Sequence, residues 1–121
     1  MADEATSLAD LRDRVAQFVA ERGWERFHSP GNLSQAITVE AAELLEQFLW
    51  LTSDQATSVV NDGSSRTAVV DELADVIIYA LSLANALDVD VSEAVLEKLE
   101  TNERRFPADV WRGRARDDGV A

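Results

Sequence analysis

Apolar residues recur at helical spacing along most of this chain, and no stretch reads convincingly as a strand. Four helices are predicted. The first runs from about Leu8 to Arg22, with Ser7 as its cap, Asp10 in its first turn and Gly23 as its end. Its apolar stripe is Leu8, Leu11, Val15, Phe18 and Val19. An aromatic-rich connector follows, from Trp24 to Gly31, of the kind that covers a core or a ligand. Asn32 followed by Gln35 resembles a capping box opening a second helix that reaches about Leu51. Thr52 to Ser65 is polar and reads as a loop with at most a partial helical turn. The third helix spans about Arg66 to Leu87. The fourth starts near Asp90 or Ser92 and ends near Phe106-Pro107. Residues 1–7 are read as an extension, 8–107 as one domain and 108–121 as a mobile tail on which Trp111 could dock.

Acidic residues interrupt the two most apolar helices on their inward side. In the second, Leu33, Ala36, Ile37, Glu40, Glu43, Leu44, Gln47 and Leu51 share one stripe. In the third, Ala68, Asp71, Glu72, Asp75, Tyr79 and Ser82 do so, while Val69, Leu73, Val76, Ile77, Ala80, Leu81 and Ala84 cover the rest. Glu40 with Glu43, and Glu72 with Asp75, are pairs three residues apart and therefore neighbours on a helix face. If the two helices pack antiparallel, four carboxylates converge. Burying several ionised carboxylates together is very costly unless a cation compensates them. A hard ion such as Mg²⁺, which prefers oxygen ligands, is the simplest compensation, and Mn²⁺ would serve the same set. The bland alternative is acidic surface residues, or carboxylates paired with buried basic groups. The second helix also shows Ala41, Leu45, Phe48 and Leu49 outside its acidic stripe. A monomer of this size would leave part of that surface wet, so oligomerisation through these helices is expected.

Composition narrows the chemistry. With 121 residues and a formal net charge of −12, the chain is one acidic domain, poorly suited to a nucleic acid or an anionic membrane. An anionic substrate would need local cations. There is no cysteine, hence no disulfide, thiolate zinc site or cysteine nucleophile. Met1 to Thr6 lacks the basic and apolar segments of a signal peptide. The longest apolar run, Val76 to Leu87, falls well short of the roughly 20 residues a bilayer span requires. A soluble, cytoplasmic protein is expected.

The fourth helix supplies positive charge. Lys98, Asn102 and Arg105 share an inward stripe with Val91, Ala94 and Val95, which suggests phosphate binding beside a metal; direct pairing of Lys98 or Arg105 with the acidic pairs is the alternative. The single histidine, His28, is more often a structural hydrogen-bonding residue than a catalyst in such a loop. Trp24, Phe27 and Trp50 are core candidates, although Trp50 lies where a ring could stack on a base. Tyr79 could give its hydroxyl to a phosphate or pack in the core. No glycine-rich phosphate loop, Ser-His-Asp set or nucleophile elbow is visible. What is left is metal-assisted attack of water on phosphorus, with one carboxylate as proton acceptor.

Several segments resemble a known family. They are Trp24–Leu33, Glu40-Ala-Ala-Glu43, Gln47-Phe48-Leu49-Trp50, Glu72-Leu-Ala-Asp75 running on to Tyr79, and Lys98–Pro107. Together they are similar to the all-α nucleoside triphosphate pyrophosphohydrolases of the MazG-like superfamily, most closely the dCTP pyrophosphatase branch. The resemblance implies a four-helix bundle-like protomer assembled as a homotetramer, with active sites drawing on more than one subunit. It implies Mg²⁺ on Glu40, Glu43, Glu72 and Asp75, and phosphates held by Lys98 and Asn102 with Tyr79 nearby. A base would lie between Trp24 and Trp50, alongside His28 and Asn32. The implied reaction splits the α–β bond of a nucleoside triphosphate, removing unwanted or modified nucleotides from the pool. Cytosine-selective animal members carry a histidine where this chain has Val15, so the resemblance leaves the base open. Expectations thus include hydrolysis of dCTP or a modified dCTP, of dUTP or a broader set of nucleotides, or a helical oligomerisation module that binds nucleotide without hydrolysing it.

Overall fold

The computed structural model describes residues 1–115, with no strand among them. They divide into two compact units, Met1–Asp88 and the chain from Val89 onward. The first contains α1 (Ala2–Ala5), α2 (Leu8–Glu21), a 3₁₀ turn (Glu25–Phe27), α3 (Pro30–Glu46), α4 (Ser53–Val59) and α5 (Gly63–Leu87). The second contains α6 (Val91–Arg105) and α7 (Ala108–Trp111).

Local chemistry sets most of these limits. At the start of α2 the Ser7 hydroxyl accepts from the Asp10 N–H, and the Asp10 carboxylate accepts from the Ser7 N–H, both at 3.0 Å. Gly23, at φ 63°, ends that helix: its N–H donates to Ala20 O while the Trp24 N–H donates to Val19 O. The second long helix starts earlier than the Asn32 cap expected from sequence. Ser29 is the cap, its hydroxyl accepting from the Asn32 N–H at 3.2 Å, and Pro30 occupies the first helical position, where its missing N–H costs nothing. That helix also stops at Glu46 rather than near Leu51. Gln47 to Leu51 continue as tight turns closed by bonds such as Phe48 N–H to Leu45 O, and Trp50 sits at φ 65°. The polar Thr52–Ser65 segment, expected as a loop, is mostly helical. Thr52 and Gln55 form a reciprocal capping box that opens α4, and α5 begins at Gly63, ahead of Arg66. Asp90 caps α6 by accepting from the Glu93 N–H at 2.8 Å.

In the first unit, α5 packs along α3 and against α2. Val19, Leu33 and Leu81 are the buried apolar residues, and Ser82 is buried beside them. Arg12 ties α2 to α5: its Nε donates to Asn85 Oδ1 at 3.0 Å and its Nη2 to Ala84 O at 3.3 Å, while Asn85 Nδ2 donates to Arg12 O at 3.1 Å. Much apolar surface stays open on α3 and α5, including Val39, Leu45, Val70, Leu73 and Ile77. In the second unit, Phe106 and Trp111 meet edge to face at 5.1 Å, so the tail begins with a helical turn held by an aromatic contact. Residues 116–121 of the expected mobile tail lie outside the described residues. No helix among the described residues is long and apolar enough to cross a membrane.

Candidate metal centre and its surroundings

The inward acidic stripes meet. Glu40 and Glu43 come from α3, and Glu72 comes from the facing side of α5. One carboxylate oxygen from each of these three lies within 4.8 Å of the others. Asp75, one turn beyond Glu72, is more exposed, yet its negative charge bears on both Glu40 and Glu72. Glu72 feels Glu43 as its main neighbouring charge, an order that fits α3 and α5 running antiparallel.

The electrostatics of the cluster are unfavourable as it stands. Burial pushes the Glu40 carboxyl from 4.5 up to about 7, helped by the close approach of Glu43 and the charges of Glu43, Asp75 and Glu72. Glu72 is raised by the same causes, burial first and then the charge of Glu43. Glu40 Oε2 and Glu72 Oε2 are both shielded from solvent and have no hydrogen-bond partner. No basic side chain of the first unit pairs with these carboxylates, which removes the reading of them as halves of buried ion pairs there. A buried carboxylate oxygen without a donor is costly. Several such oxygens around one point are the donor set of a hard divalent cation.

Residues 35–116 match the family described as MazG-like. The chain belongs to the MazG-like family. Bovine dCTP pyrophosphatase 1 is 41% identical over 109 residues, which cover 90% of this chain and 64% of the relative. Human dCTP pyrophosphatase 1 is 42% identical over 110 residues, covering 91% of this chain and 65% of the relative. The chain thus spans a little under two thirds of these curated relatives. A pyrophosphatase from Archaeoglobus fulgidus, solved by crystallography, is 40% identical and superposes with a TM-score of 0.78, covering 83% of this chain and 92% of that one. This MazG-like chain is all-α, as its periodicity predicts.

The other expected site residues are spread more widely than the acidic set. Tyr79 is half-buried on α5, one turn beyond Asp75. Trp24 packs edge-on against Phe18 at 5.7 Å between ring centroids. Asn32 gives its side-chain amide to Phe27 O at 3.0 Å, so it holds the connector in place. Trp50 is 96% exposed and held at positive φ, a conformation that costs a non-glycine residue energy and needs a reason. Lys98 and Asn102 share a face of α6 in the second unit with Val91, Ala94 and Val95, as their spacing predicts. Arg105 lies with its guanidinium 5.1 Å from the Phe106 ring centroid.

His28 lines a cavity of about 320 Å³ in the first unit. Its walls include Ala16 and Val19 of α2, Glu25 from the connector, and Ser82 and Asn85 of α5. Of these, Glu25, Ser82 and Asn85 were not singled out as site residues by sequence reasoning. The available signal was two polar positions, Ser82 and Asn85, inside the most apolar run of the chain.

Proposed function

We propose that this MazG-like chain is a divalent-metal-dependent nucleoside triphosphate pyrophosphohydrolase, with Mg²⁺ as the ion (Mn²⁺ as a substitute) and dCTP or a modified dCTP as substrate. The observation that carries the reading is the convergence of Glu40, Glu43 and Glu72 around shielded oxygens that have no donor. The bovine and human relatives named dCTP pyrophosphatase 1, and the archaeal relative named a pyrophosphatase, support the reaction class.

In this reading Glu40, Glu43, Glu72 and Asp75 hold the ion. A bound ion there supplies Lewis-acid neutralisation of the charge on the polyphosphate oxygens. A carboxylate oxygen left free within the cluster accepts the proton of the attacking water. Water adds at the α–β anhydride, the bridging bond breaks, and dCMP, pyrophosphate and a proton leave. Lys98, Asn102 and Arg105 hold phosphate oxygens, as a chain with net charge −12 must do locally to bind a polyanion. Tyr79 donates its hydroxyl to the same group. Trp24 and Trp50 flank the base; a ring as exposed as Trp50 is well suited to being covered by a ligand or a neighbouring subunit. The open apolar faces of α3 and α5 support assembly as a homotetramer. The role is cleansing of the cytoplasmic nucleotide pool.

A panel of dNTPs with Mg²⁺, assayed for monophosphate and pyrophosphate, tests this. Release of dCMP and pyrophosphate is expected. Orthophosphate and a diphosphate as the only products would exclude it.

A further inference from the structure

Positive charge is gathered at one place in this acidic chain. Residues 104–115 hold Arg104, Arg105, Arg112 and Arg114 against a single acid, Asp109, which leaves seven basic residues against 22 acidic ones elsewhere. The second unit folds this segment into a defined shape. Pro107 O accepts from the Trp111 N–H at 2.9 Å. Gly113, at φ 74°, then turns the chain so that the Arg114 N–H donates to Trp111 O at 2.8 Å. The Arg105 guanidinium lies 5.1 Å from the Phe106 ring centroid, and that of Arg114 lies 5.5 Å from the Trp111 centroid. Because Phe106 and Trp111 meet edge to face, two guanidinium groups are seated on one aromatic pair. Such seating lowers the entropy lost when they bind a ligand. Neither Arg105 nor Arg112 makes an ion pair with a described residue.

The place of this cluster on α6 gives it a use. Lys98, Asn102 and Arg105 follow one another along α6, about 10 Å from first to last, and the aromatic pair begins where they end. A triphosphate has to reach Lys98 against the field of a chain with net charge −12. At about 10 mM ionic strength charges act over about 30 Å, so repulsion by the whole molecule slows capture unless a local patch of opposite sign outweighs it. Arginine suits that patch: it is always charged, and its fork pairs with two phosphate oxygens. A short polyphosphate is matched to a patch of this size. A nucleic-acid strand would run beyond it onto a chain that is otherwise acidic.

We infer that Arg112 and Arg114, held at the end of α6 by the Phe106–Trp111 pair, are polyphosphate-capture residues that draw the triphosphate onto the Lys98 stripe. The inference rests on the hydrolase reading and adds a capture step to it. Its signature is the sign of the salt dependence. Screening speeds the meeting of like charges and slows that of opposite ones. Net charge alone therefore predicts that kcat/KM for dCTP rises with NaCl, whereas the arginine patch predicts that it falls. The test follows kcat/KM from about 10 mM to about 1 M NaCl at saturating Mg²⁺, a range that shortens the screening length to about 3 Å. It compares the wild type, Arg112→Gln/Arg114→Gln, and a control of equal charge, Arg14→Gln/Arg66→Gln, whose residues lie on α2 and α5. All four arginines are exposed, so helix content should stay at the wild-type level. The wild-type value should fall with salt. The Arg112/Arg114 variant should lose about tenfold at low salt, through KM with kcat little changed, and nothing at high salt, while the control stays within about twofold of the wild type. Calorimetric titration with pyrophosphate in Mg²⁺ reads the same residues without turnover, and binding should weaken only in the Arg112/Arg114 variant. A variant that matches the wild type at low salt, or a control that loses as much, would overturn the inference and leave α–β hydrolysis standing. Tighter binding of an oligothymidylate than of pyrophosphate would overturn it in favour of a nucleic-acid surface. A wild type that turns over no nucleotide, yet binds pyrophosphate through Arg112 and Arg114, would remove the hydrolase reading and keep the polyphosphate site.

Discussion

Glu40 carries the clearest consequence at the residue scale. Its folded value of about 7 lies above the ordinary 4.5, so the folded state binds more protons between those limits. Stability of the metal-free protein should therefore fall as pH rises from 4.5 to about 7, with the loss complete above that range. Mg²⁺ should reverse the trend, because a cation favours the ionised carboxylates, and its affinity should climb as pH passes about 7. Thermal melts across pH, with and without Mg²⁺, check both signs. Glu40→Gln or Glu72→Gln should raise the melting point of the metal-free protein at pH 8 and abolish its response to Mg²⁺. Either variant should lose more activity than the roughly 10–100-fold that removal of a supporting outer residue costs. The acidic pairs were legible from sequence because charge on an apolar stripe violates a simple rule. Ser82 was harder to see: a serine in an apolar run looks like a small helix residue until the cavity beside it is known.

At the scale of elements, helix existence was legible and helix limits were less so. Ser7 and Gly23 announce their roles because each cap is a local hydrogen-bonding device, whereas sequence leaves Asp90 and Ser92 as rival starts for α6 and the structure selects Asp90. The Thr52–Gln55 box is equally local, but the following Asn61-Asp62-Gly63 run drew the whole segment toward a loop reading. The early end of α3 has no such sequence signal. Its final turns tighten around Leu45 to Trp50, and a tryptophan at φ 65° is not something propensity anticipates. The α2–α5 contact depends on pairing residues far apart in sequence, which periodicity does not report. Asn85→Ala should cost about 1–3 kcal/mol, since the Arg12 guanidinium then loses its side-chain acceptor in a part-buried setting. Urea unfolding monitored by circular dichroism measures this, and an unchanged midpoint would argue that the clamp is dispensable.

For the whole molecule, burial is the informative quantity. Only Val19, Leu33 and Leu81 are buried apolar residues among those described, while Leu45 is 60% exposed and Ile77 46%. So small a core leaves α3 and α5 with apolar faces that a subunit interface would cover. Leu45→Glu and Ile77→Glu should lower the mass found by light scattering below that of the wild type, with apolar dye binding rising as the faces open. The fold class and the convergence of Glu40, Glu43 and Glu72 could be read from the sequence, because both follow from helical periods; how the open apolar faces are covered depends on surfaces, which periodicity does not report. Metal-dependent cleavage at the carboxylate cluster can be followed by ³¹P NMR of dCTP with Mg²⁺ and either wild type or Glu72→Gln. Equal amounts of dCMP and pyrophosphate are expected from the wild type, nothing in excess chelator, and nothing resolvable from Glu72→Gln. Turnover that survives the chelator, or wild-type spectra showing dCDP and orthophosphate, would contradict it.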